Sequence, residues 1–178
     1  MTIANTTIPA TGANRGIGQA RKRRNAANLQ AMPVWESIMN QDFTTAFTVD
    51  QTPEDTFAAI NNVRSWWSGE IEGRTDKLGD EFTYRYEDLH YSKQRIAEFI
   101  PGKKVVWLVL DGRLNFVEDK HEWTGTTITF DIAKKGDQTE VQFTHAGLVP
   151  ANQCFTACSN AWGYYINGSL RSLIAAGA

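Results

Sequence analysis

The chain has 178 residues, 42% hydrophobic and 21% charged, the proportions of one soluble domain with a substantial core. No apolar run approaches the 18 residues a membrane-spanning helix needs, and no secretory signal is visible. The net charge of −2 conceals an asymmetry: residues 1–35 hold five basic side chains and no acid, leaving 13 basic against 20 acidic residues, a body too acidic for general nucleic-acid binding.

The basic segment contains Thr11-Gly12-Ala13-Asn14-Arg15-Gly16-Ile17-Gly18, which resembles the phosphate-binding turn of short-chain dehydrogenases. Such glycines let a backbone approach a pyrophosphate at a helix N-terminus. The context is wrong, however. The preceding ten residues make a weak strand, Arg21-Lys22-Arg23-Arg24-Asn25 has no apolar helical face, and the Tyr-x-x-x-Lys of that family is absent. Residues 1–38 are therefore expected to form a disordered basic tail. Translation from an early start codon, with Met32 or Met39 as the functional beginning, or a transit-like leader would explain it. Residues 39–178 form the expected domain.

Within the domain, Phe43, Thr45, Phe47 and Val49 alternate with Thr44, Ala46 and Thr48 in a first strand. Thr52-Pro53-Glu54-Asp55 opens a helix, with Thr52 as its cap, Pro53 in the first turn and Phe57, Ile60 and Val63 on the apolar face. The region ends at Trp66-Trp67. Consecutive helical residues diverge by ~100°, so one of the two indoles is expected at a rim rather than in the core. Six strands follow, at 70–73, 81–87, 92–99, 104–110, 126–134 and 139–145, separated by short turns that favour antiparallel neighbours. Phe82, Tyr84, Tyr86, Ile128, Phe130, Ile132, Val141 and Phe143 fall on one face, whereas Thr83, Arg85, Glu87, Thr127, Thr129, Asp131, Glu140 and Gln142 fall on the other. The connection 111–125 has no regular pattern. From 151 to 176 no proline interrupts a helical pattern, and Cys154, Cys158, Trp162, Ile166, Leu170 and Leu173 form a stripe that would cover the apolar sheet face.

Cys154 and Cys158 are the only cysteines. At i, i+4 on a helix they have poor disulfide geometry and read as buried, reduced thiols, which implies a cytoplasmic protein. His90, His121 and His145 form no metal-binding spacing, and no serine occupies a nucleophile elbow. No metal or cofactor is expected.

This order of elements resembles the START-related, helix-grip (SRPBCC) superfamily, and more narrowly the family named for the C-terminal domain of the heat-shock protein 90 ATPase activator. The residues carrying the resemblance are Thr52-Pro53-Glu54, Trp66-Trp67, Glu98 and Pro101 before Val106-Trp107, Thr144-His145-Ala146-Gly147-Leu148, and Trp162-Gly163-Tyr164-Tyr165-Ile166-Asn167-Gly168-Ser169-Leu170. It implies an α+β helix-grip fold: a curved antiparallel sheet of six to seven strands around a long C-terminal helix, with two short helices after the first strand. It also implies an elongated apolar cavity between sheet and helix, lined here by Tyr84, Tyr86, Trp107, Phe130, Phe143 and Trp162, with Trp66 or Trp67 at the mouth. Arg85, Arg95 and Arg113 could meet a ligand carboxylate, and solvated strand faces explain them equally well. Non-catalytic binding of a small apolar or amphipathic molecule is the leading expectation. A cyclase- or lyase-type enzyme using Glu98 or His145 in the same pocket is the second. A chaperone ATPase-activator-like interaction domain is the third. A homodimer or a chaperone partner stays open.

Overall fold

Alternation of apolar and polar side chains builds the sheet, and the computed structural model, which describes residues 38–177, arranges seven antiparallel strands. The expected basic tail with its glycine motif lies outside the described residues, apart from Ile38. The strands are β1 (Phe43–Val49), β2 (Glu70–Gly73), β3 (Glu81–Tyr86), β4 (His90–Ile100), β5 (Lys104–Leu114), β6 (Thr127–Lys135) and β7 (Gln138–Ala146), in the spatial order β1-β7-β6-β5-β4-β3-β2. From β2 to β7 every neighbour in sequence is a neighbour in the sheet, whereas β1 joins the far edge by pairing with β7.

Between β1 and β2 lies α1 (Pro53–Asn61). Thr52 caps it by accepting from the Asp55 amide at 3.1 Å, as its sequence predicts. Only this one helix forms here. The expected second is a single 3-10 turn, Val63–Ser65.

Curvature comes from two irregularities in the β4–β5 ladder, at Lys93/Gln94 and Ile96/Glu98, where an extra residue bends and twists the strand. The concave face carries Val105, Trp107, Val109, Ile128, Phe130, Val141 and Phe143, all without solvent exposure. Across it lies the C-terminal helix, which starts later than its apolar pattern suggests: Ala151–Cys154 are turns, and α2 runs Phe155–Tyr164. A π-helical segment, Tyr165–Leu170, then leads into α3 (Arg171–Ala175).

The π segment has a packing reason. The buried residues Cys158, Trp162, Ile166, Leu170 and Ile174 recur at strict intervals of four. At 3.6 residues per turn that spacing drifts by ~40° per step, so an α-helix would carry the stripe off the sheet. The wider i→i+5 turn returns it. Ile174, not Leu173, is accordingly the last buried residue of the stripe.

The two indoles correct a further expectation. Trp66 and Trp67 are both buried, at 3% and 2% exposure, and both lie within 6.2 Å of Trp107 with near-parallel rings. The 100° argument fails because the 3-10 turn ends at Trp66, whose φ of −132° is not helical. The Trp66 indole also donates to the Ile60 carbonyl at 3.1 Å, tying it to the end of α1.

Candidate functional site

The irregular connection after β5 brings the site together. β5 continues to Leu114, beyond its expected end at 110, and the following turns place Phe116 and Trp123 over the end of the sheet. Gly112 permits this approach, since a Cβ there would stand 3.0 Å from the Trp123 Cβ. The turns are pinned to the helix in both directions. Glu122 accepts from the amides of Gln153 (2.6 Å) and Cys154 (2.9 Å), while the Gln153 side chain accepts from the amides of Glu118 and Asp119. A carboxylate from a distant loop thus caps a helix start that has no capping side chain of its own.

The cavity between these parts has a volume of about 290 Å³, at the lower end of the range for small-molecule sites. Trp67, Tyr84, Tyr86, Leu89 and His90 line it from the sheet side, Phe116 and Trp123 from the turns, and Ala157, Cys158, Ala161, Trp162 and Tyr165 from the helix. Alanines at 157 and 161, one turn apart, leave the space that larger side chains would fill. Tyr86, Leu89 and Phe116 are 42–46% exposed and form an apolar mouth.

Four of the eight residues expected to line the cavity do so: Trp67, Tyr84, Tyr86 and Trp162. The other four, Trp66, Trp107, Phe130 and Phe143, are packed into the core beneath it, with aromatic ring centroids 5.0–6.2 Å apart. Aromatic alternation marks the covered face of a strand; it does not say how far along the strand the packing opens. Leu89, His90, Phe116, Trp123, Ala157, Cys158, Ala161 and Tyr165 line the cavity without having been anticipated. The small-residue spacing 157–161 was the one signal that could have found the helix wall.

The two histidines in and behind the wall are held neutral by burial. His145 is buried and fully committed. Its Nδ1 accepts from the Trp162 indole N–H at 3.0 Å, which leaves Nε2 protonated to donate to the Thr126 hydroxyl at 2.9 Å; that hydroxyl donates on to the Trp123 carbonyl at 2.6 Å. This relay fixes two cavity-wall tryptophans through one imidazole. Burial, with His90 adding a smaller effect, pushes the His145 pKa down to about 3. His90 is held at about 4 by burial, and its Nε2 has no partner among the described residues. Tyr84 stacks on Trp67 at 4.0 Å, and its phenol is pushed far above the usual range by burial and by the adjacent Tyr165 hydroxyl. The Tyr165 hydroxyl in turn lies 2.6 Å from that of Ser68.

Neither expected acid or base is placed for catalysis. Glu98 is on the solvent side, paired with Lys104 at 3.4 Å and away from the cavity. His145 has both ring nitrogens engaged. Cys154 and Cys158 are free and buried, as expected, and the Cys158 sulfur together with burial raises the Cys154 thiol, which opposes thiolate formation. Arg85 and Arg113 flank Tyr91 in a polar cleft on the opposite sheet face, which also holds Glu87, Asp88 and Asp111. Among the described residues no helix is long and apolar enough to cross a membrane.

Residues 28–175 match the family described as "Activator of Hsp90 ATPase homolog 1-like protein". The solution structure of the Aha1 dimer from Colwellia psychrerythraea is similar in fold (TM-score 0.62, 23% identity, covering 77% of this chain and 98% of that one). Protein MLL2253 from Mesorhizobium loti (TM-score 0.61, 13% identity, 75% and 96%) and CalU16 from Micromonospora echinospora (TM-score 0.55, 15% identity, 75% of each chain) share the fold as well. No curated protein matches the sequence significantly.

Proposed function

Since the chain belongs to the activator of Hsp90 ATPase homolog 1-like family, whose helix-grip architecture it shares, we propose that it binds a small, largely apolar molecule without transforming it. The observation that carries this reading is the open aromatic cavity, about 290 Å³ in volume, with an exposed apolar mouth. Contiguous exposed apolar surface of this kind is disfavoured on a soluble protein unless something covers it. The absence of chemistry follows from the groups present. Glu98 is outside the cavity, and His145 can take up a proton only by breaking its bond to Trp162. A cyclase- or lyase-type reaction through either residue is therefore not favoured. A homodimer is compatible with this reading, since the structurally similar Aha1 protein is described as a dimer.

Trp67, Trp123 and Trp162 line the cavity and supply an intrinsic reporter. Titration with the uncharged dye N-phenyl-1-naphthylamine is expected to quench tryptophan emission saturably, with one site per chain. Ala161→Phe, which adds a ring at a partly open position of the wall, should abolish that response while leaving the melting temperature nearly unchanged. Unsaturable dye uptake, or an Ala161→Phe protein that binds as well as the parent, would overturn the reading.

A further inference from the structure

The composition of the cavity wall says more than that it is apolar. Among its described lining residues there is no Lys, Arg, Asp or Glu. The one titratable base, His90, stays neutral at physiological pH because burial disfavours its cation. The arginines that could answer an anion, Arg85 and Arg113, stand in the polar cleft across the sheet among three acidic side chains. A carboxylate drawn into the cavity would lose its water and find no counter-charge, a strongly unfavourable transfer.

The wall is nevertheless polar in places. The Tyr165 hydroxyl lies 2.6 Å from that of Ser68, and the Tyr84 phenol is near enough to Tyr165 to be shifted by it. The contact between the Tyr165 and Ser68 hydroxyls uses one of their two protons, so one donor and several lone pairs are left over. Tyr84 and Tyr165 both line the cavity, and Tyr165 is also the first residue of the π-helical segment, a distortion that often occurs at functional positions. His90 and Trp123, on the wall, each carry a buried ring nitrogen without a partner. A pure hydrocarbon would leave the two buried ring nitrogens unpaired, which is costly for buried polar groups.

We propose that the cavity selects a neutral aromatic molecule bearing one hydrogen-bonding substituent, read by the Tyr165–Ser68 hydroxyl pair in the wall beside Tyr84, and rejects carboxylate-bearing amphiphiles. This inference rests on the binding reading above and sharpens it. Tyr165 is its specificity-determining residue: its ring forms part of the wall, and its hydroxyl is the member of the pair that belongs to the cavity lining.

The test compares 2-naphthamide with 2-naphthoate, which have nearly the same shape and differ in charge, and with 2-methylnaphthalene, which has no polar group. At neutral pH naphthamide is expected to bind at least about tenfold more tightly than naphthoate, a factor equivalent to ~1.4 kcal/mol. In Tyr165→Phe, naphthamide affinity should fall about fivefold, the scale of one neutral hydrogen bond, while methylnaphthalene stays within about twofold. A purely structural role for the hydroxyl would move both ligands alike. Equal affinity for naphthoate and naphthamide, or parallel losses in Tyr165→Phe, would overturn the inference while leaving the cavity a binding site. Binding of N-phenyl-1-naphthylamine in the same samples separates that result from failure of the site, in which case no probe saturates and both readings fall.

Discussion

At the scale of single residues, the His145 imidazole joins the most parts of the molecule. It lies on β7, holds Trp162 of α2, and reaches the Trp123 turn through Thr126. Its depressed pKa has a direct consequence for stability. A base whose folded pKa (about 3) lies below its ordinary value of 6.5 is bound neutral by the fold, so the unfolded chain takes up more protons as pH falls between those values. Stability contributed by the neutral imidazole is thus present above 6.5 and is lost progressively towards 3. Between pH 7 and pH 5 this group alone should remove ~2 kcal/mol, readable by urea denaturation at the two pH values. His145→Asn should be less stable at pH 7 but should show a shallower decline; an unchanged pH slope would contradict the relay. Trp162→Ala removes a fully packed indole and leaves His145 Nδ1 without its donor. A loss of about 3–5 kcal/mol in denaturant unfolding is expected, a large share of a domain's stability.

At the scale of elements, two glycines separate what the backbone requires from what it tolerates. Gly73 ends β2 with φ +100°, and a Cβ there would lie 2.3 Å from the Glu81 carbonyl oxygen. Gly73→Ala meets both an unfavourable dihedral and a backbone clash, so it should destabilise by more than about 2 kcal/mol. Gly168, in the π segment, faces open space. Gly168→Ala should therefore stabilise by about 0.5–1 kcal/mol through reduced freedom of the unfolded chain. Both are measurable from denaturation midpoints. Elements of this kind were legible wherever period and punctuation agreed: β1, β2 and the Thr52 cap stand where alternation and capping chemistry put them. Legibility failed where tertiary contact overrides local pattern. The start of α2 is set by Glu122 from a remote turn rather than by the apolar stripe, the π segment answers to the facing sheet, and β5 extends because its partner His90–Lys93 continues alongside it. Sequence likewise marked the covered aromatic face but not where core ends and cavity begins, because Phe130 and Tyr84 share the same alternation and differ only in what stands opposite them.

At the scale of the whole molecule, this division between filled and open space separates stability from binding. The aromatic core runs from Phe57 through Trp66, Trp107, Phe130 and Phe143 to Trp162, and the cavity opens at the end covered by the 115–126 turns. Residues of the mouth contribute little to the folded state because they keep much of their exposure, whereas a bound guest covers them. Phe116, 45% exposed, is the clearest case. Phe116→Ser should change the unfolding free energy by no more than about 0.5 kcal/mol, as surface substitutions generally do. Phe130→Ala, by contrast, should lose about 3–5 kcal/mol. The order reverses for ligands. At a concentration one hundred times its dissociation constant, a guest that binds only the folded chain adds ~2.7 kcal/mol of stability. That increment should shrink in Phe116→Ser, where the mouth no longer closes over apolar surface. In Phe130→Ala it should persist at low temperature, where the chain is still folded. Thermal denaturation of the three proteins with and without N-phenyl-1-naphthylamine measures all four quantities. A guest that stabilises Phe116→Ser as strongly as the parent chain would show that binding occurs somewhere other than this cavity.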